Sequence, residues 1–314
     1  MHSRFILRAL PLVLGLAGCA ASPDDFDFET CGVRPRAELI VEMQGGVPVT
    51  AARVKGQPAR LVLDTGATGL VLTESAAVRL GVGRSSHVTV SSVGAGGGSR
   101  NFAGVLEEFE IAGLKVPDHQ IAVLPPNAGI AVAGTVDGLF GVSVLSIFEI
   151  ELDLARRRVV LHAGRLCPDT VAPSWTASAA VLDAGQSQRG RFIVPVTLYS
   201  GSRPGRTVAA LLDTGAARSV VARDVALSIG VDDDMLARDP PVRLVGVGPN
   251  VPVGRLHRFA TLDIAGHALA APHLIVVDRA ETGMDMILGS DFLAGRRIWL
   301  SYARKRVFID FAPR

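Results

Sequence analysis

The chain of 314 residues contains one short segment twice, as LVLDTGATG at 61–69 and as ALLDTGAAR at 210–218. An ungapped alignment of Leu61–Val82 with Ala210–Val231 has nine identical positions in 22. Self-similarity at a fixed spacing is the signature of a repeated structural unit. The duplication therefore predicts that the chain folds as two similar halves.

Weaker matches continue downstream at nearly the same spacing. Asp137–Gly141 (DGLFG) aligns with Asp285–Gly289 (DMILG), and each copy ends in an apolar segment after an Ala-Arg turn. We expect a first lobe at 37–163 and a second lobe at 191–314. Between them, residues 164–190 are rich in Ala, Ser and Pro, a composition that predicts a linker.

Within each copy the apolar residues alternate, as in Val47–Val54 and Phe192–Leu198, which predicts half-buried strands. Brief helices are expected at Glu74–Leu80 and Arg223–Ile229, each followed by a glycine. The fold class that follows is all-β: mostly strands with short helices, in two similar lobes related by a pseudo-two-fold axis, with a cleft between them.

Asp64 and Asp213 each end an apolar run, and burying an ionised carboxylate is costly unless a partner compensates it. The duplication suggests that each aspartate is the partner of the other. Two adjacent carboxyl groups share one proton, so that one acts as a base and the other as an acid. Glycine after each acid and threonine permits a tight turn and a close backbone approach.

An Asp-Thr-Gly-Ala segment after an apolar strand, followed about 76 residues later by two apolar residues and a glycine, resembles the aspartic proteases. It is most similar to the retropepsin-like branch, although both lobes lie on one chain, as in pepsin-like enzymes. The resemblance implies an aspartic endopeptidase in which Asp64 and Asp213 activate a water molecule. The residues that would support the catalytic loops are Thr65, Gly66, Ala67, Thr214, Gly215 and Ala216.

The resemblance also implies flaps over the cleft. The candidate residues are glycines about 30 residues after each aspartate: Gly94, Gly96 and Gly97 in the first copy, and Gly246 and Gly248 in the second. The expected substrate is an extended peptide or protein segment. A non-catalytic protein that binds peptides or proteins through the same cleft is the alternative.

The first residues read as an export signal, with a short basic start and an apolar stretch of about ten residues, too short to span a bilayer. The segment ending in Cys19 resembles the lipobox of bacterial lipoproteins. This implies a signal peptide at 1–18, a lipidated tether at 19–36 and a membrane lipid anchor, on the outer membrane facing the periplasm. An ordinary signal peptide with a chance cysteine is the alternative.

Cys31 and Cys167 flank the first copy. In an exported protein they could form a disulfide that joins the two ends of the first lobe, or they could be two unpaired thiols.

Other classes of function are poorly supported. The formal net charge is +2 without a basic stripe, so we expect no nucleic-acid partner. The seven histidines show no metal-ligand spacing, and neither a metal nor an organic cofactor is expected. Because one chain supplies both halves of the site, we expect a monomer. The alternative is that the two lobes do not face each other and that dyads form only between chains.

Overall fold

The computed structural model describes residues 32–126, 130, 136–165, 174–186, 189–201, 203–279 and 284–312. The predictions for the signal peptide, Cys19, Cys31 and Cys167 lie outside these residues. Across them, strands dominate and the helices are short, in two lobes of similar wiring. The expected all-β, two-lobed fold class is confirmed.

The first lobe contains twelve strands and two short helices in the described residues. They are β1 (Gly32–Gln44), β2 (Val47–Val54), β3 (Gln57–Leu63), β4 (Val71–Thr73), α1 (Glu74–Arg79), β5 (Arg84–Gly94), β6 (Gly97–Leu106), β7 (Phe109–Ile111), β8 (Leu114–Val116), β9 (His119–Leu124), β10 (Gly138–Phe140), α2 (Val142–Leu145), β11 (Glu149–Asp153) and β12 (Arg158–Arg165), with a 3₁₀ turn at Leu154–Arg156.

The second half begins with a 3₁₀ turn at Ser174–Ser178. Its elements are β13 (Ala180–Asp183), β14 (Gly185–Gln186), β15 (Phe192–Tyr199), β16 (Arg206–Leu212), β17 (Val220–Ala222), α3 (Arg223–Ser228), α4 (Asp233–Arg238), β18 (Pro241–Arg243), β19 (Val253–Arg258), β20 (Thr261–Ile264), β21 (His267–Ala270), β22 (His273–Val277), β23 (Met286–Leu288), α5 (Ser290–Leu293), β24 (Arg297–Ser301) and β25 (Arg306–Asp310).

The duplicated sequence is wired identically in the two lobes. In the first lobe β10 pairs in parallel with β3 and antiparallel with β4, which in turn pairs in parallel with β9. In the second lobe β23, β16, β17 and β22 repeat the same three pairings. Each Asp-Thr-Gly segment therefore follows the end of a strand, β3 or β16, that pairs in parallel with a short strand, β10 or β23.

Both helices that follow these segments end as the sequence predicts. The hydroxyl of Thr73 accepts a hydrogen bond from Ala76 N at 3.1 Å and caps α1. Gly81 and Gly230, just beyond α1 and α3, have φ angles of +64° and +100°, values that favour glycine and stop a helix.

In the described part of the chain, no helix has the length and apolarity needed to cross a bilayer.

One antiparallel sheet joins the two lobes. Strand β24 of the second lobe pairs with β11 of the first, with Ile150 opposite Leu300 and Glu151 opposite Trp299. The sheet runs in the order β13-β25-β24-β11-β12-β1. Strand β13, which lies within the stretch predicted to be a linker, therefore forms one of its edges. The lobes are held together by continuous backbone hydrogen bonds as well as by side chains.

Strand β11 turns carboxylates to one face of this sheet. All five of its residues are buried, and alternation places Ile150 and Leu152 on one face and Glu149 and Glu151 on the other. Glu149 accepts hydrogen bonds from the Trp299 indole at 3.0 Å and from Ala303 N at 3.1 Å. Both donors belong to the second lobe, so these buried contacts cross between the lobes.

Glu151 makes a further interlobe contact, with Arg297. It accepts a hydrogen bond from Arg297 Nε at 2.7 Å, and His162 Nε2 lies 3.5 Å away. Burial alone would raise the pKa of Glu151, but the hydrogen bonds and charges of His162 and Arg297 outweigh it and lower the pKa from 4.5 to about 2. The ionised form is therefore the one that the folded state favours.

We predict that the protein loses stability in acid through Glu151. Because folding lowers the pKa of this group, its stabilisation is complete above about pH 4.5 and disappears as the pH falls towards 2. Glu151→Gln should be less stable than the wild type by up to about 3 kcal/mol at neutral pH, with a gap that closes in acid. Denaturant unfolding at several pH values measures the gap.

Glu42→Gln is the matched control, since Glu42 pairs with Arg60 at the surface and its side chain is 66% exposed. Its effect should stay within about 0.5 kcal/mol at every pH. A gap for Glu151→Gln that does not change with pH would contradict the prediction.

Candidate active site

Each Asp-Thr-Gly loop is fixed from behind by the apolar-apolar-glycine segment of its own lobe. Asp64 N donates to Phe140 O, and Asp213 N donates to Leu288 O, both at 3.0 Å. Gly141 then passes so close to the first loop that a Cβ atom there would lie 2.4 Å from Gly69 O. The two aspartates consequently occupy equivalent, rigid positions at the ends of β3 and β16.

The two threonines join the loops by reciprocal hydrogen bonds. The Thr65 hydroxyl donates to Leu212 O at 2.9 Å, and the Thr214 hydroxyl donates to Leu63 O at 2.6 Å. Each hydroxyl also accepts from the backbone N–H of the other threonine at 3.0 Å. Thr65 is 2% exposed and Thr214 fully buried, so four strong polar contacts lie shielded from water at the lobe junction.

The carboxylates cross over to the opposite loops. A Cβ atom on Gly66 would lie 2.3 Å from Asp213 Cγ, and one on Gly215 would lie 2.3 Å from Asp64 Cγ. Only glycine leaves room for this approach, which explains its place in both segments. Since Gly66 N also donates to Asp64 Oδ1 at 2.9 Å, the two carboxyl groups lie less than about 8 Å apart.

Backbone amides orient both carboxylates in the same way. Asp64 Oδ1 accepts from Gly66 N at 2.9 Å and from Ala67 N at 2.7 Å. Asp213 Oδ1 accepts from Gly215 N at 2.8 Å and from Ala216 N at 3.1 Å. One oxygen of each group is thus held by its own loop. The structure therefore brings together all eight residues that sequence reasoning placed at the catalytic loops.

Within the described residues, a Ser–Asp brace lies behind the second loop, and sequence reasoning missed it. The Ser219 hydroxyl donates to Asp291 Oδ1 at 2.6 Å and accepts from Gly289 N at 3.0 Å, while the Ser290 hydroxyl donates to Thr214 O at 2.9 Å. In the aligned first copy Leu70 occupies the place of Ser219. The two loops therefore have equal geometry but different support.

Asp137 and Asp285 are structural residues that the aligned sequences already contain. Asp137 Oδ2 accepts from Arg60 N at 2.8 Å, and Asp285 Oδ2 accepts from Ala209 N at 3.1 Å. Each thereby ties the strand behind the active loop to the strand that carries the aspartate. Their repetition was visible in the sequence, but repetition alone does not separate support from catalysis.

Arg191 adds a contact across the lobes, since its guanidinium donates to Gly66 O at 3.3 Å.

The flap glycines lie in the expected copies: Gly94, Gly96 and Gly97 at the β5–β6 hairpin tip, and Gly246 and Gly248 in the loop before β19. In the described residues no group of three or more His, Cys, Asp or Glu side chains is arranged to hold a metal ion.

Two β lobes that each contribute an aspartate on a threonine-joined loop define an acid-protease-like protein. The family model for aspartyl proteases matches residues 50–144 and 194–292, and the chain belongs to this family. No curated protein matches the chain in sequence.

Two of the solved structures that are similar to the chain illustrate the shared fold. Conglutin gamma, a basic 7S globulin from lupine seeds, has a TM-score of 0.52 at 12% identity, over 89% of this chain and 96% of that chain. The aspartic proteinase from Irpex lacteus has a TM-score of 0.51 at 14% identity, over 87% of this chain and 96% of that chain. At such identities the likeness concerns the fold alone.

We predict that the threonine contacts hold the site together. Thr65→Val keeps the shape of the side chain but leaves the buried Leu212 carbonyl and Thr214 N–H without their partner. This should lower the free energy of unfolding by about 2–4 kcal/mol. Thr65→Ser, which keeps the hydroxyl, should lose less than about 1.5 kcal/mol.

Thermal or denaturant unfolding of Thr65→Val, Thr214→Val and the double variant completes the test. Because both side chains belong to one network, the double variant should lose less than the sum of the single losses. Strict additivity would show that the two hydroxyls act independently.

Proposed function

We propose that the chain is an aspartic endopeptidase that hydrolyses peptide bonds with water activated between Asp64 and Asp213. The observation that carries the proposal is the reciprocal packing of each carboxylate against the opposite loop's glycine, so close that a Cβ atom on either glycine would lie 2.3 Å from the facing Cγ. Carboxyl groups that converge in this way share a proton, which supplies an acid and a base at one place.

The reaction follows from that shared proton. The ionised carboxylate takes a proton from water as the water oxygen attacks the peptide carbonyl carbon. The protonated carboxyl group donates its proton to the carbonyl oxygen, which gives a neutral tetrahedral diol. The protonated carboxyl group of the dyad then gives its proton to the nitrogen, a hydroxyl group of the diol returns a proton to the dyad, and the C–N bond breaks, so that the dyad again holds one proton. No covalent bond between enzyme and substrate is needed.

The backbone contacts support this chemistry. Ala67 N and Gly66 N hold one oxygen of Asp64, and Ala216 N and Gly215 N hold one oxygen of Asp213. The carboxylates are thereby oriented before a substrate binds, which lowers the reorganisation needed in the transition state. An extended peptide in the interlobe cleft is the substrate that such a site suits, and one chain is sufficient to form it.

A non-catalytic binding protein is the second candidate. The fold shared with conglutin gamma favours this candidate, because that protein is described as a globulin and not as a protease. The two candidates differ in what the acids do: an enzyme needs both carboxyl groups to exchange protons, whereas a binding cleft needs only its shape.

We predict that Asp64→Asn and Asp213→Asn each reduce cleavage of a mixed peptide library by at least about 10³-fold, because neither amide can complete the proton exchange. Mass spectrometry of the products measures cleavage, and circular dichroism checks that each variant folds. Asp234→Asn removes an exposed acid and serves as the control with unchanged activity.

If either single variant at the dyad cuts normally, the peptidase proposal is wrong. If the wild type cuts nothing but retains peptides that the library offers, the binding candidate takes its place.

We further propose that the protein is exported and held by lipid on Cys19, on the periplasmic side of the outer membrane. One acyl chain binds a membrane only reversibly, and stable attachment takes two such signals. A lipidated cysteine with two acyl chains and a third, amide-linked chain exceeds this requirement. Cys19→Ser should therefore move the protein from the membrane fraction to the soluble periplasmic fraction. Continued membrane association of Cys19→Ser in a fractionated bacterial host would contradict lipid anchoring.

A further inference from the structure

The two flaps touch each other directly. The first flap is the β5–β6 hairpin tip, Gly94–Gly97, and the second flap is the loop 245–250 between β18 and β19. Gly96 N donates to Val247 O at 3.0 Å, and Asn250 N donates back to Gly96 O at 3.0 Å. Both backbone polar groups of Gly96 are thus paired with the second flap, which lies on the other lobe.

A third hydrogen bond comes from a side chain. Asn250 Nδ2 also donates to Gly96 O at 3.0 Å, so that carbonyl accepts from Asn250 twice. The backbone pair is available to almost any residue, whereas the third bond requires the carboxamide. Among the contacts between the flaps, this one is set by the identity of a single side chain.

Glycines make the contact sterically feasible. A Cβ atom on Gly94 would lie 2.5 Å from Val247 O, and one on Gly96 would lie 2.7 Å from the Gly248 carbonyl carbon. Gly248 also has a φ of +128°, which other residues rarely adopt. The glycine-rich composition of both flaps therefore fits close contact between their backbones as well as mobility.

The joined flaps are connected to the catalytic loops. The Val247 side chain packs against the apolar cluster of Val47, Val49, Val62 and Leu139, and Ala67 and Ala217 pack against the same cluster. Those two alanines lie three and four residues after the aspartates. The contact between the flaps is thus continuous with the packing that surrounds the dyad.

We propose that Asn250 is a positioning residue that latches the two flaps over the cleft, and that release of this latch limits the entry of an extended peptide. This inference rests on the proposed peptidase function. It adds that Asn250 controls the entry of the substrate into the cleft. Because the Asn250–Gly96 contacts join the two flaps, a substrate enters only when these contacts open.

Hydrogen exchange tests the latch without reference to catalysis. Asn250→Ala removes only the side-chain bond, and the loss of one hydrogen bond corresponds to about a threefold to tenfold larger open population. Exchange at amides within 91–101 should rise by that factor together with exchange within 244–252, because opening separates both flaps. Val251→Ala, which trims a 42% exposed side chain next to the second flap, should leave 91–101 unchanged.

Association of a statine-type peptide inhibitor tests the gate. The association rate constant, measured by stopped flow or surface plasmon resonance, should rise about threefold to tenfold in Asn250→Ala. A residue that merely contacted the inhibitor would leave association unchanged and raise dissociation alone. An unchanged or slower association rate, or faster exchange confined to 244–252, overturns the proposal.

Asn250→Asp provides a rescue. An aspartic acid group can donate its O–H to Gly96 O below about pH 4, whereas its carboxylate repels that oxygen at higher pH. The ratio of its association rate to that of the wild type should therefore fall towards one as the pH drops through about 4, while the ratio for Asn250→Ala stays raised. A ratio for Asn250→Asp that does not depend on pH argues against the side-chain bond.

The outcomes separate the two proposals. If the wild type cleaves no peptide and binds no inhibitor but both flaps respond to Asn250→Ala in exchange, the peptidase function fails and the latch stands. If the wild type cleaves and binds but the flaps do not respond together, the latch fails and the peptidase function stands.

Discussion

The structure depends on the reciprocal hydrogen bonds between Thr65 and Thr214. They fix the separation of the two loops, and the position of each carboxylate against the opposite glycine follows from that separation. Buried, fully paired polar groups specify one arrangement because any slip would leave donors and acceptors unsatisfied. The interlobe sheet, in which β24 pairs with β11, holds the same relation between the lobes through backbone contacts.

The two-lobed fold and the positions of the two aspartates could be predicted from the sequence because the segment that carries them is duplicated. One Asp-Thr-Gly segment is a common turn, but two at matched positions imply two equivalent strand ends and hence two acids that can meet. The aligned segments Asp137–Gly141 and Asp285–Gly289 likewise marked the positions of β10 and β23. Local rules then ended α1 and α3 at glycines with positive φ.

The contacts that could not be predicted are those that differ between the copies. Ser219 meets Asp291, 72 residues away, and Asn250 meets Gly96, 154 residues away. In the alignment Leu70 takes the place of Ser219, so the repeat offers no guide to this pair. Alternation along β11 indicates that Glu151 shares a face with Glu149, but nothing local reveals that Arg297 will neutralise it.

These differences bear on the direction in which the proposed peptidase would bind a peptide. A polypeptide has a direction, with amide and carbonyl groups in a fixed order, whereas a perfectly two-fold pair of loops would accept it equally well from either end. In this chain a serine and an aspartate brace one loop and a leucine lies beside the other. Because the two loops lie on one chain and differ in sequence, the proposed site has two unlike sides and would distinguish the two directions of a peptide.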